Sequence, residues 1–184
     1  MGRATYRLMV NIFREFFRLE FQWVNIKTLK ISGRIDEYFQ CEFLDPANSH
    51  LNKNDLFDQE IDVWVDLQHV EKINSCGAKT WFLWIENVKA TIHYVNCSAT
   101  MIGQLNMLGK TAIVESFEVL YGCDSCEHEE SRILVVGKDV IPKSDSMEIE
   151  APVYPCPGCG KKTLEMEAIP EEYFQFLASS HSRK

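Results

Sequence analysis

Residues 61–84 read IDVWVDLQHVEKINSCGAKTWFLW, and two periodicities meet inside that stretch. Ile61, Val63, Val65 and Leu67 alternate with Asp62, Trp64 and Asp66, the period of a strand with one face in a core. From Cys76 to about Asn87 the pattern changes. Ala78, Trp81, Ile85 and Val88 recur at three-and-four spacing, which places them on one face of a helix. Ser75 and Gly77 suit the cap and the tight entry of that helix. A strand and its following loop therefore deliver the Ser75 hydroxyl to a helix start, where backbone N–H groups and the helix dipole favour an anion. A phosphate on Ser75 would be stabilised there and would add roughly two negative charges to the surface.

Outward from this centre, strands and helices continue to alternate. Residues 4–16 plot as an amphipathic helix, with Met9, Ile12, Phe13 and Phe16 opposite Arg7, Asn11, Arg14 and Arg18. Phe17, Leu19, Phe21 and Trp23 then alternate with polar residues as a first strand, and Leu29 and Ile31 mark a second that ends at Gly33. Asp45 to Asp58 is polar and contains Pro46, which predicts loop around a short helix. Thr91 to Cys97 is a further strand; Ser98 caps a helix with Met101, Ile102, Leu105 and Leu108 facing inward, and Gly109 ends it. Ile113 to Tyr121 returns as a strand. The alternation predicts an α/β fold with crossover connections and a sheet covered by helices on one or both faces.

Gly33-Arg34-Ile35-Asp36, Val65-Asp66-Leu67, Ile73-Asn74-Ser75-Cys76-Gly77 and Asn96-Cys97-Ser98 together resemble the bacterial STAS domain, the sulfate transporter and anti-sigma-factor antagonist module, over residues 17–121. The resemblance implies a mixed sheet covered by helices. It also implies a switch loop, usually Asp-Ser-Ser/Thr-Gly, whose first hydroxyl is phosphorylated by a partner kinase. Ser75 occupies that position, with Asp36, Asn74, Cys76 and Gly77 as its neighbours; Asn74 stands where the family usually has Asp, and Cys76 where it has a second hydroxyl. The implied partner is a kinase-like or anti-sigma protein.

Cys123-Asp124-Ser125-Cys126 and Cys156-Pro157-Gly158-Cys159-Gly160 are two CxxC pairs separated by 29 residues. Each pair sets two thiolates on one tight turn, the ligand supply of a tetrahedral structural zinc. Iron–sulfur ligation and a redox disulfide are the alternatives, and His128 is a substitute ligand to weigh. Ile133 to Gly137, Met147 to Val153 and Leu164 to Ala168 have strand character, so residues 122–178 read as a small β-rich zinc ribbon. Pro170 opens a closing helix through Tyr173, Phe174 and Leu177, and residues 179–184 are expected to be a disordered tail. Four thiolates would leave no position for water, which makes such a metal structural and not catalytic.

Composition bounds the rest. Hydrophobic residues make up 46% and charged residues 25% of the chain, as in ordinary globular proteins. Residues 115–184 carry 14 acidic and 7 basic side chains, a net of −7 within the total of −8. That balance argues against a phosphate-backbone partner there and favours protein over nucleic acid. The N-terminal residues are too interrupted by charge for a secretory signal, and Tyr6 stands where a myristoylation signal needs Ser or Thr, so a cytoplasmic location is expected. The amphipathic helix at residues 1–16 reads as packed on its own domain, with a membrane-surface or partner-binding contact as the alternative. Cys41 and Cys97 read as packing residues, His69 and His93 as satisfied structural histidines, and Trp64, Trp81 and Trp84 as core or interface anchors. Asp36 and Asp66 lack a nucleophile–base constellation, so the expectation is a non-enzymatic regulatory module that binds a protein partner. An unphosphorylated scaffold is the alternative, and an enzyme using the Ser75/Cys76 loop a third.

Overall fold

The alternation at 61–67 becomes the middle of a five-stranded sheet in the computed structural model, which describes residues 20–25, 28–38, 57, 59–108, 112–141, 149–160 and 163–178. Its strands are β1 (Glu20–Asn25), β2 (Thr28–Ile35), β3 (Asp62–Ile73), β4 (Thr91–Val95) and β5 (Ile113–Val114), in that spatial order. β1 is antiparallel to β2, and the remaining pairs are parallel. Helix α1 (Ser75–Asn87) joins β3 to β4, and α2 (Ala99–Leu108) joins β4 to β5. Both crossovers step the same way, so right-handed connections put both helices on one face. Burial follows that geometry: Leu29, Ile31, Val63, Val65, Leu67, Ile92 and Tyr94 are enclosed with Trp81, Ile85, Met101 and Leu105. Trp81 Nε1 donates to the Tyr94 hydroxyl at 2.7 Å, which satisfies two buried polar groups at once.

β3 is longer than its alternation predicts. Lys30 pairs with Asp66 but Ser32 with His69, and Gly33 pairs with Val70 but Arg34 with Lys72, so β3 carries one extra residue at each step. These are β-bulges, which let a strand continue while its side chains change phase. Asp66 Oδ1 accepts from the Gln68 amide at 3.1 Å across the first of them. The expected loop after Leu67 is therefore strand, and it runs directly into Asn74. β2 likewise passes through Gly33, at φ 94°, to reach Ile35. β4 stops at Val95 because Asn96 turns left-handed at φ 52°.

The single strand expected over Ile113 to Tyr121 is two. β5 ends the first sheet, and after Glu115 the chain enters β6 (Ser116–Gly122), which pairs with β7 (Glu129–Val135) and β9 (Thr163–Met166); β8 (Tyr154–Pro155) completes a second, antiparallel sheet in the order β7-β6-β9-β8. Residues 116–121, expected in the first unit, thus build the second sheet. Ile149 to Val153 has no regular structure, so the strand character expected there is realised only from Tyr154. The closing segment forms α3 (Pro170–Tyr173) and α4 (Gln175–Ala178) in place of one helix. Asn106 of α2 fixes them, donating to the Glu172 and Tyr173 carbonyls at 3.1 and 3.0 Å and accepting from the Phe176 amide at 2.8 Å. Phe117 of β6 packs edge-on against Phe174 and Phe176, so α2 and the two sheets share one core.

The fold is thus mixed α/β with two sheets and few helices. The expectations for residues 1–16, Cys41, residues 45–56, Gly109, Met147 and residues 179–184 lie outside the described residues, as does the Leu108 side chain. Among the described residues no helix is long and apolar enough to cross a membrane.

Candidate functional site

Cys123 and Cys126 lie in the turn between β6 and β7, and Cys156 and Cys159 in the turn after β8. The antiparallel β6–β9–β8 pairing brings the two turns together, and the four sulfurs lie within 4.8 Å of one another. Cys126 and Cys156 Sγ are 3.5 Å apart, and Cys123 and Cys159 Sγ 3.9 Å. Four sulfurs bound at about 2.3 Å from one centre stand about 3.8 Å apart in a tetrahedron, so the cluster has the dimensions of a tetrathiolate metal site.

The two turns have the same construction. The Glu127 amide donates to Cys123 O at 3.0 Å and the Gly160 amide to Cys156 O at 2.9 Å. Each donor residue is left-handed, at φ 53° for Glu127 and 63° for Gly160. Gly160 adopts this freely, whereas Glu127 carries a Cβ that disfavours it. Gly158 meets a different need, since a Cβ there would stand 3.2 Å from Cys126 Sγ. Backbone hydrogen bonding at His128 favours the Cys126 thiolate, but the Cys156 sulfur, desolvation, and the Cys123 and Cys159 sulfurs outweigh it and push the thiol up to about 12. Crowded sulfurs of this kind resist ionising together unless a cation is shared among them. The His128 ring is not part of the cluster. It pairs with Glu130 at 3.2 Å.

Ser75 sits at the entry of α1, exposed, as the first helical residue. The cap is Asn74 and not Ser75: Asn74 Oδ1 accepts from the Gly77 amide at 2.7 Å. Asn74 Nδ2 donates to Glu37 Oε2 at 2.9 Å, and the Asn74 backbone amide donates to Ile35 O at 3.1 Å. Asn74 thereby ties the end of β2 to the start of α1. Its amide holds the Glu37 carboxyl below the usual range. Gly77 is buried against the same strand end, where a Cβ would lie 2.2 Å from Ile35 O and 2.5 Å from Asp36 Cα. A cleft of about 240 Å³ opens beside this junction between Arg34, Asp36, Glu71, Lys72, Asn74 and Thr100. Asp36 faces its own turn, accepting from the Tyr38 amide at 3.0 Å, and Cys76 is exposed.

The chain matches no protein-family model, no curated protein and no solved structure.

Of the remaining residues, Cys97 is fully buried and Trp81 and Trp84 are core, as expected. Burial pushes the Cys97 thiol well above its ordinary range. His93 is satisfied by Glu115 at 2.7 Å and Asp62 at 3.2 Å and stacks on Trp64 at 4.9 Å. His69 is exposed. Sequence reasoning missed Glu37 and Glu127. Glu37 had no detectable signal, because its partner is 37 residues away; Glu127 could have been suspected from its equivalence to Gly160 after the second cysteine of a pair.

Proposed function

We propose that this chain is a STAS-like, non-enzymatic regulatory module of the cytoplasm, with a structural zinc ribbon, that docks on a protein partner through the Ser75 loop and α1. The observation that carries this reading is the junction at Asn74: parallel strands β2 and β3 end against the first turn of α1, and Ser75 is presented on the outside of that turn. A hydroxyl there is reachable by a kinase, and a phosphate on it gains from the helix N-terminus. By the resemblance, the partner is a kinase-like or anti-sigma protein. It binds the unmodified form and is repelled by the dianion, with a loss of about 2 kcal/mol or more if the loop is buried in the contact. The unphosphorylated scaffold is favoured by one observation, the Glu37 carboxylate held at Asn74, because it places negative charge beside the position a phosphate would take.

For the metal, all-sulfur ligation at these spacings suits zinc, which Cys123, Cys126, Cys156 and Cys159 would hold with no open position. Zinc there supplies folding energy to turns with little apolar burial of their own. Elemental analysis of protein purified without chelator should give close to one zinc per chain, and a metal-free protein with intact turns would end the zinc reading. The switch is tested by capturing the partner with the full chain and comparing Ser75→Ala with Ser75→Asp. Equal binding by Ser75→Asp, together with no phosphate on Ser75 in cells, leaves the scaffold.

A further inference from the structure

The outer face of the second sheet is apolar at its centre and acidic around it. Residues paired directly across antiparallel strands point to the same side. Glu118 pairs with Ile133, Leu120 with Ser131, Ser116 with Val135, and Gly122 with both Glu129 and Glu165. Leu120, Ile133 and Val135 are 44%, 37% and 37% exposed, while their neighbours Phe117, Val119 and Leu134 are buried on the opposite side. Glu167 continues the rim, since its amide donates to Leu120 O at 3.0 Å and its carboxylate overlies Gly122. None of the described strand positions on this face is Lys or Arg. Strand β7 is also an edge, with one side of its backbone unpaired by any strand described here.

The chain carries a segment of complementary chemistry. Residues 3–18 hold four arginines, Arg3, Arg7, Arg14 and Arg18, against one acid, Glu15, and bear the apolar stripe Met9, Ile12, Phe13 and Phe16. Reach decides which copy they meet. The segment leads into Glu20 on β1, at the edge of the first sheet furthest from β5 and the entry to β6. Four strand spacings make that width about 19 Å, and the steps from Phe16 to Glu20 span at most about 14 Å. Phe16 itself therefore cannot reach the face in its own chain, and a second copy removes that limit for all four stripe residues.

We infer that residues 3–18 of one copy dock on the Leu120–Ile133–Val135 face of another, with the arginines meeting Glu118, Glu165 and Glu167, in a reciprocal dimer. The exchange is isologous, so it closes at two copies. It stands independently of Ser75 and of which metal the cysteines hold.

Light scattering of the full chain over a micromolar range tests it. A dimer is expected that dissociates at least tenfold more readily in Phe13→Glu and in Ile133→Lys, two substitutions at opposite ends of the proposed contact. Arg14→Glu and Glu167→Arg should each weaken it, more so at low salt, and the double variant should regain affinity. Hydrogen exchange should show β7 protected in the dimer, with circular dichroism and metal content unchanged in every variant. A monomeric full chain overturns the inference, as does a dimer indifferent to both Phe13→Glu and Ile133→Lys. Protection of β7 that Phe13→Glu removes from a monomer places the segment in its own chain and overturns the exchange.

Discussion

Adding one methyl group at Gly77 and at Gly103 should move stability in opposite directions. Both glycines lie in helices, Gly77 in the first turn of α1 and Gly103 within α2. Replacing glycine by alanine in a helix interior is favourable by about 0.8–1.0 kcal/mol from backbone entropy alone. At Gly103 no atom lies within 4 Å of the new Cβ, so Gly103→Ala should realise most of that gain. At Gly77 the Cβ would stand 2.2 Å from Ile35 O and 2.5 Å from Asp36 Cα, both backbone atoms that cannot rotate away. The start of α1 must then retreat by about 1 Å to recover van der Waals distance, which strains the Asn74–Ile35 and Asn74–Glu37 bonds. Overpacking of this kind costs about 1–3 kcal/mol, and because the entropy gain is common to both variants, that cost is the expected difference between them. Urea unfolding of the two variants, compared at equal m-values, measures it. If Gly77→Ala proves as stable as Gly103→Ala, the close approach of α1 to β2 is wrong, and the geometry claimed for Ser75 falls with it.

Three more outcomes follow from single groups. The Tyr121 hydroxyl is buried without a hydrogen-bond partner among the described residues, and burial pushes its pKa up to about 12, so Tyr121→Phe should be neutral or stabilising by about 1 kcal/mol in thermal unfolding; a loss above that would reveal a hidden partner. Glu127→Gly should stabilise its turn by about 1 kcal/mol and Gly160→Ala should destabilise the matching one by about as much, read as a change in the chelator concentration that strips the metal. Glu37 is held below the usual carboxylate range by Asn74, so its contribution is fully present above the ordinary carboxylate pKa and is lost as pH falls through the depressed value; in Asn74→Ala its side-chain titration by NMR should move upward, and an unmoved midpoint would discount the bond.

The core of the first sheet could be read from the chain because its alternation and its helical stripe each follow one period. Where the structure departs, the period itself breaks. Val70 is buried three positions after Leu67, an odd step that reads as the end of a strand but is a bulge bridged by Asp66. At the start of α1, Asn74 and Ser75 are equally good caps by residue type, and the choice of Asn74 rests on Glu37 and Ile35, which are distant in sequence. The run from Ile113 to Tyr121 holds no glycine or proline, so nothing local marks the change of sheet at Glu115. The cysteine cluster was legible because ligand spacing is a local property, whereas the exclusion of His128 from it depends on Glu130.

The passage at Glu115 also limits how the gene can be divided. One residue separates β5 from β6, and its amide and carbonyl are both committed, to Tyr94 O at 2.8 Å and the Val136 amide at 2.9 Å. A chain terminated after codon 121, where the resemblance to the STAS domain ends, would keep β6 but remove β7 and β9, leaving Phe117, Val119 and Tyr121 on a strand held only by its bridge to Cys97. An apolar strand stripped of its sheet partners is a template for aggregation. Insoluble expression of such a fragment would reflect the cut and not the intrinsic foldability of the first sheet, so any dissection of this protein must fall before Ser116 or not at all.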